Sequence, residues 1–209
     1  FASGRFAMKG GTALNLFVHE MPRLSVDIDL VFVDHRPDRQ AALQVIAVEL
    51  AAVQSTLASK GYRAHLPGNA TAEDVKLIVS NDAAQVKVEV NFVFRGTALP
   101  VETRPLVALA QDLFTTDLAV PVLATAELYG SKLVAAMDRQ HPRDIFDVMH
   151  MLDHFGWQAP FVDCFVAYLA GHNRPVHEVL FPKTKPLEPA FRNEFAGMTR
   201  EGVELDTLT

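Results

Sequence analysis

RFAMKGGTALNLFVHE (residues 5–20) and VDIDLVFV (residues 26–33) are the two stretches that decide the fold. In the first, RFAMK predicts a short strand that runs into a turn at Gly10 and Gly11, and the apolar residues after the turn are spaced for one helix face. In the second, apolar residues alternate with Asp27 and Asp29, so a strand would present both carboxylates on one side. Together they predict a strand, a glycine turn, a helix and a second strand that carries two acids.

Outward from these stretches, the pattern changes from strands to helices. Residues 38–60 predict an amphipathic helix that Asp38 caps, with a buried stripe through Leu43, Ile46, Leu50, Val53 and Leu57. Residues 62–66 suit a strand, and residues 75–80 and 85–94 suit a hairpin that turns near Asn81 and Asp82. From residue 124 onward the periodicity is helical. We therefore predict an α+β fold, with an N-terminal mixed β-sheet core and its helices (residues 1–105) followed by a C-terminal helical bundle (residues 106–209).

Composition excludes several classes of protein. About half of the 209 residues are hydrophobic and the net charge is −6, which argues against a protein that coats nucleic acid nonspecifically. The sequence contains neither an uninterrupted apolar run of about 20 residues nor a secretory signal, so we expect a cytoplasmic protein without a membrane partner. The single cysteine, Cys164, excludes a disulfide framework and is predicted to lie in the core. Because the chain starts at Phe1 and ends without a terminating pattern, we also expect truncated or disordered ends.

The acidic pair suits a metal site. Two residues spaced by two on a strand have Cα atoms roughly 6.6 Å apart, and carboxylate oxygens are the ligands that Mg²⁺ prefers. By itself, however, a D-x-D sequence also suits an exposed strand face. Glu89, between two valines on another predicted strand, would complete the metal site if the two strands are neighbours. Otherwise it is a solvated residue that pairs with Lys87 or its neighbours, and the sequence leaves both alternatives open.

The Gly10-Gly11-Thr12 turn suits phosphate binding. Glycines let backbone N–H groups approach a phosphate, and the helix N-terminus that follows favours negative charge. Thr12 adds a hydroxyl at the same place. An ordinary tight turn is the alternative, and the nearby aspartates favour the phosphate site.

Several segments, in this order, resemble one known family. KGGTALNLF, RLSVDIDLVF, the glutamate of KVEVNF, SKLVAAMDRQHPRDIFDV and FAGMTREGVELDTL are similar to the AbiEii/AbiGii toxin family of nucleotidyltransferases, within the DNA polymerase β-like superfamily. The match spans nearly the whole chain. It implies that residues 1–105 are a nucleotidyltransferase core.

The resemblance also implies roles for individual residues. Asp27, Asp29 and Glu89 would be catalytic acids that hold the metal. Lys132 would bind phosphate, with Asp144 as its acidic partner. The remaining nucleotide-binding residues would be Gly10, Gly11, Thr12, Arg23 and Ser25. Arg143 and Asp147, four apart on a predicted helix, would either support this site or form a purely structural ion pair.

The implied activity is transfer of a nucleoside monophosphate from a nucleoside triphosphate (NTP), with Mg²⁺ or Mn²⁺, to an RNA acceptor such as the 3′ end of tRNA. The protein would then be the toxin of a toxin–antitoxin, or phage-defence abortive infection, system. Its partner would be a cognate antitoxin of the winged-helix AbiEi type. A kinase-like phosphotransferase and a catalytically silent nucleotide-binding module are the alternatives.

Overall fold

A mixed β-sheet forms the centre of the fold. The computed structural model describes residues 3–67, 75–91 and 95–209, and within these ranges it contains seven strands in one sheet and eight α-helices. The predicted α+β class is therefore confirmed. The strands are β1 (Phe6–Lys9), β2 (Ile28–Phe32), β3 (Arg63–His65), β4 (Val75–Ser80), β5 (Gln85–Asn91), β6 (Glu102–Pro105) and β7 (Ala119–Val122). The helices are α1 (Gly10–Phe17), α2 (Arg39–Ser59), α3 (Ala108–Phe114), α4 (Thr125–Arg139), α5 (Pro142–Phe155), α6 (Ala159–Ala170), α7 (Val176–Leu180) and α8 (Glu188–Glu194), followed by a 3₁₀ helix at Leu205–Leu208.

The strand order brings the acidic strands together. The sheet runs β3-β4-β5-β2-β1-β7-β6, so β2 lies between β5 and β1. β2 is parallel to β5 and antiparallel to β1, whereas β1 is parallel to β7. The predicted hairpin is the antiparallel pair β4 and β5. Its expected last residues, 92–94, lie outside the described residues.

The start of β2 differs from the prediction. The strand begins at Ile28 rather than at Val26, so Asp27 precedes the strand. The Thr12 hydroxyl donates a hydrogen bond to the Asp27 carbonyl. Before it, the Leu24 N–H donates to the Met198 carbonyl at 2.7 Å. The backbone of residues 24–27 thus bonds to groups outside the sheet, which explains why regular strand pairing starts only at Ile28.

Helix α2 begins as predicted and is less buried than predicted. The Asp38 carboxylate accepts a hydrogen bond from the Ala41 N–H at 2.8 Å, which caps the helix. Ile46 and Leu50 are buried against the sheet, but Val53 is 41% exposed, so its predicted place in the core is wrong. The helix contacts the edge strand β3 and its neighbour β4, which cover only one of its sides. By length and composition alone, α2 could also cross a membrane.

The C-terminal half packs helix against helix and then returns to the sheet. Helices α4 and α6 cross closely at Gly130, where an added Cβ would lie 2.5 Å from the Cβ of Cys164. Cys164 is buried, as predicted. Thr199 forms a β-bridge with Arg23, and Leu208 packs in a cluster with Phe195. The expectation of a disordered C-terminal end is therefore wrong. The last segment braces the loop that leads to β2.

The division of the chain at residue 105 stays a proposal. Strand β7 follows that residue and pairs with β1, with Met8 opposite Val122. The sheet thus includes a strand from residues 106–209, which were predicted to be helical. The helices from α4 onward follow that strand in the chain.

Candidate active site

A row of four charged residues crosses the centre of the sheet. The strand register places Lys9 opposite Asp29, Asp29 opposite Glu89, and Glu89 opposite Lys76. Directly opposed residues on neighbouring strands project from the same face, so the four side chains share one side of the sheet. β2 and β5 are neighbouring strands, so the condition under which Glu89 can reach Asp29 is met. Lys9 and Lys76 flank the two acids, and sequence reasoning assigned a site role to neither.

Asp29 lies in a perturbed environment within this row. Burial raises the pKa of Asp29, the ammonium of Lys9 opposes that shift, and the negative charges of Glu89 and Asp27 add to it. An acid pair on adjacent strands repels itself when both members are ionised, and a cation relieves that repulsion. The two carboxylates therefore fit a hard divalent cation by charge and by ligand type.

Gly10 and Gly11 make room for the side chains around Asp29. Gly10 has φ +74°, and a Cβ there would lie 2.2 Å from Asp29 Oδ2. A Cβ on Gly11 would lie 2.5 Å from Arg23 Nη2 and 2.9 Å from Ser25 Oγ. Both glycines thus admit neighbouring side chains against the first turn of α1. This requirement explains the pair without any reference to phosphate.

The buried Thr12 hydroxyl has two internal partners. Its Oγ1 lies 3.0 Å from Ser25 Oγ and donates to the Asp27 carbonyl. Thr12 and Ser25 therefore join the start of α1 to the segment before β2, and in this structure they hold Asp27 in place.

A network of alternating charges lies close to the row, and its Lys132 acts on the pKa of Asp29. Lys132 Nζ lies 3.0 Å from Asp144 Oδ1 and 3.0 Å from Asp147 Oδ2. Arg139 donates to Asp144 at 2.8 Å, and Arg23 donates to both oxygens of Asp147 at 2.7 and 2.6 Å. The predicted partnership of Lys132 with Asp144 is thus present in the geometry. The network connects the loop before β2 to α4 and α5.

Asp147 is the buried centre of this network. Burial acts to raise the pKa of Asp147, but the charges of Lys132 and Arg23 outweigh it and lower the pKa. Asp147 therefore stays ionised and compensates two cations. Arg143, which we expected one turn away from it, instead points to Glu194, with Nη2 3.8 Å from Oε2. Arg143 lies outside the network because Arg23 and Lys132 already occupy both oxygens of Asp147.

A cavity of about 450 Å³ opens over three residues of the charged row, Lys9, Asp29 and Glu89. Its sheet side includes Lys9, Gly10, Asp29 and Glu89, and its helical side includes Lys132 and Arg139 of α4. The end of α6 and the loop after it close one side with Tyr168, Gly171, His172 and Asn173. The cavity thus sets cations from two elements against a pair of acids, which is the charge pattern that a metal–polyphosphate ligand needs.

Lys9 is the main site residue that sequence reasoning missed. Burial lowers the pKa of Lys9, while Asp29 and Glu127 act to raise it. Its Nζ lies 5.5 Å from the centroid of the Tyr168 ring, within reach of a cation–π interaction. Its position directly before Gly10-Gly11 was the available signal, because the last residue of a strand lies close to the turn that follows it.

Asp27 is less closely associated with the other acids. Lys87 Nζ lies 3.4 Å from Asp27 Oδ2 and 3.4 Å from Glu89 Oε1. In residues 3–67, 75–91 and 95–209, no three His, Cys, Asp or Glu side chains are arranged as a metal site. The ligand set Asp27, Asp29 and Glu89 therefore stays a prediction. The contacts of Glu89 with Lys76 and Lys87 match the pairing that the sequence left as an alternative.

One comparison with known proteins identifies a family, and another finds a similar fold. A family model described as "Nucleotidyl transferase AbiEii toxin, Type IV TA system" matches residues 1–208. Among solved structures, the nucleotidyltransferase toxin MenT4 of Mycobacterium tuberculosis is similar in fold, with a TM-score of 0.67 at 19% identity. That likeness covers 98% of this chain and 71% of MenT4. No curated protein sequence matches the chain.

Proposed function

The chain belongs to the AbiEii family of nucleotidyltransferase toxins, and on that premise we propose that it transfers a nucleoside monophosphate from an NTP to an RNA acceptor. Membership makes it a nucleotidyltransferase of a toxin–antitoxin system, with an NTP substrate, a divalent metal and an antitoxin partner. The further proposals are that the metal is Mg²⁺, which Mn²⁺ can replace, and that the acceptor is the 3′ end of tRNA. We also propose a winged-helix antitoxin of the AbiEi type and a cytoplasmic location.

The observation that carries the proposal is the juxtaposition of the Asp29–Glu89 pair with Lys132 across one cavity. A triphosphate brings several negative charges, and Lys9, Lys132 and Arg139 supply cations on two sides of the cavity. Asp29 and Glu89, with Asp27, would hold the divalent cation. Such a cation, when bound, offsets the charge on the phosphate oxygens and assists displacement of pyrophosphate.

The other predicted residues act in support. Gly10 leaves the space that the Asp29 carboxylate occupies, and Gly11 does the same for Arg23 and Ser25. Asp144 and Asp147 hold Lys132 in a fixed position, because each carboxylate lies 3.0 Å from its Nζ. A lysine held in this way is preorganised for phosphate and loses little side-chain freedom when the nucleotide binds. Arg23 would position the site through Asp147.

The acceptor hydroxyl would approach from the Glu89 side. Glu89 is partly exposed and lies on the side of Asp29 opposite to Lys9. A carboxylate there can accept the proton that the attacking hydroxyl loses, as general base. The net charge of −6 favours an acceptor that is recognised locally, at one end, over an acceptor bound along its length.

The test is to incubate the protein with total RNA and Mg²⁺ and each of the four NTPs in turn, labelled at the α-phosphate. We expect label to enter small RNA of tRNA size, and Asp29→Asn to abolish the transfer. Asp163→Asn removes the same charge from an exposed position of α6 and is the matched control, with unchanged transfer.

Parallel reactions with γ-labelled NTPs separate the reaction classes. Nucleotidyl transfer releases the γ-phosphate with pyrophosphate, so RNA would stay unlabelled. Label that enters from the γ-position alone would reject nucleotidyl transfer in favour of phosphoryl transfer. Label that enters protein and not RNA would reject the RNA acceptor.

A further inference from the structure

Lys87 lies between two of the acids that the proposed function assigns to the metal. It is on β5, two residues before Glu89, so both side chains project from the same face of the strand. Its ammonium is 3.4 Å from Asp27 Oδ2 and 3.4 Å from Glu89 Oε1. One cationic group thus bridges a carboxylate from each of two segments. This is the arrangement that a bridging metal ion would adopt with the same oxygens.

These carboxylate oxygens cannot bind a metal ion and keep both contacts with the Lys87 ammonium at the same time. A divalent ion takes carboxylate oxygens at about 2.0–2.6 Å and repels a neighbouring ammonium. The side chains of Lys87, Asp27 and Glu89 are 38%, 44% and 30% exposed, so the ammonium can rotate into water without an uncompensated buried charge. Exchange of Lys87 for a metal ion is therefore physically available at this position.

We propose that Lys87 is an internal counterion of the metal site: it bridges Asp27 and Glu89 when the metal is absent and is displaced when a divalent cation binds. This inference rests on the proposed function, because it takes Asp27, Asp29 and Glu89 as the metal ligands. Lys87 offsets the charge of the two acids and holds them close together, and it lowers the affinity of the site for the cation that replaces it.

Lys76 provides the matched comparison. It lies on the neighbouring strand β4, opposite Glu89, and its Nζ is 3.2 Å from Glu89 Oε1. Its side chain is 37% exposed, nearly as much as that of Lys87, and it pairs with the same oxygen of Glu89. Removal of either lysine changes the net charge by one unit. Only removal of Lys87 frees Asp27.

The experiment measures Mn²⁺ binding by the whole chain without nucleotide, with free Mn²⁺ counted by electron paramagnetic resonance. Two partly exposed ion pairs are together worth about tenfold in an equilibrium constant, and one is worth about threefold. We expect Lys87→Met to bind Mn²⁺ about tenfold more tightly than wild type, and Lys76→Met about threefold more tightly. In an Asp27→Asn background, the two lysine variants should become equal. Lys183→Met, at an exposed position after α7, should match wild type.

Each other outcome overturns part of this proposal. Equal tightening by Lys87→Met and Lys76→Met in the presence of Asp27 would mean that net charge alone acts. Weaker binding by Lys87→Met would mean that Lys87 supports the metal instead of competing with it. In both cases Mn²⁺ binding that Asp29→Asn abolishes would leave the proposed function intact. If neither wild type nor Lys87→Met binds Mn²⁺, the metal site fails and the exchange fails with it.

Discussion

Removal of the Arg23 side chain should destabilise the fold more than removal of a surface arginine. Arg23 and Asp147 are joined by two hydrogen bonds of 2.7 and 2.6 Å, and their side chains are 3% and 4% exposed. Truncation of one member of a buried ion pair costs about 3–5 kcal/mol, because the other charge stays buried. Lys132, 3.0 Å from Asp147, still compensates part of that charge. We therefore expect Arg23→Met to lower the free energy of unfolding by about 3 kcal/mol, at the lower end of this range.

The comparison variant is Arg143→Met. Arg143 and Glu194 form a partly exposed pair at 3.8 Å, and such pairs contribute about 0–1 kcal/mol. Both variants are measured by urea unfolding at pH 7, with the midpoint compared at constant slope. The double variant Arg23→Met/Asp147→Leu removes both charges of the pair. It should be less destabilised than the sum of the two single variants by about 1–2 kcal/mol.

Two results would contradict this expectation: an Arg23→Met cost of less than about 1 kcal/mol, or an Arg143→Met cost as large as that of Arg23→Met. The first result would mean that water or another cation compensates Asp147. The second would mean that Arg143 and Asp147 pair in solution, as the four-residue spacing suggested.

Three further predictions concern glycines and a histidine. Gly10→Ala should lower the initial rate of nucleotide transfer at least about 100-fold, because its Cβ would lie 2.2 Å from Asp29 Oδ2. Gly61 also has a positive φ but has no described atom within 4 Å of an added Cβ, so Gly61→Ala should leave the initial rate unchanged. Gly130→Ala should lower the free energy of unfolding, measured in urea, by about 1–3 kcal/mol, because its Cβ would lie 2.5 Å from the Cβ of Cys164. Gly202→Ala, with no described atom within 4 Å of the added Cβ, should lower it by under about 0.5 kcal/mol. Equal losses would contradict the close crossing of α4 and α6. Burial lowers the pKa of His19 from 6.5 to about 4, aided by His150 and His154 and opposed by Asp147, so the unfolded chain takes up the proton first. The stability due to neutral His19 is complete above pH 6.5 and is lost as the pH falls towards about 4. The melting temperature should therefore fall more steeply over this pH interval for wild type than for His19→Phe. Parallel plots of melting temperature against pH would contradict the lowered pKa of His19.

The sequence predicted the local elements well because their signals are local. Alternation placed β2 within two residues of its true start, the glycine pair marked the junction of β1 and α1, and Asp38 marked the cap of α2. The same local reasoning failed at Val53, because periodicity shows which face of a helix is apolar and not how far the sheet extends beneath it.

The site residues divide in the same way. Asp29 and Glu89, and Lys132 with Asp144, were named from the sequence and the resemblance, and the fold brings each pair together. Their roles in catalysis remain predictions. The pairing of Asp147 with Arg23 was not accessible from the sequence, because Arg23 is 124 residues away along the chain, whereas Arg143 is on the same helix.

By itself, the sequence determined which residues carry the charge and which elements carry those residues, since side-chain direction follows from the strand and helix periods. Only the tertiary structure decided which charges meet. Strand order and register aligned Lys9, Asp29, Glu89 and Lys76 in one row, and a shift of one residue would have turned one strand's charges to the other face. The position of Lys87 between Asp27 and Glu89 depends on that same register. Register is set by long-range pairing of the whole sheet, and a single sequence does not record that pairing.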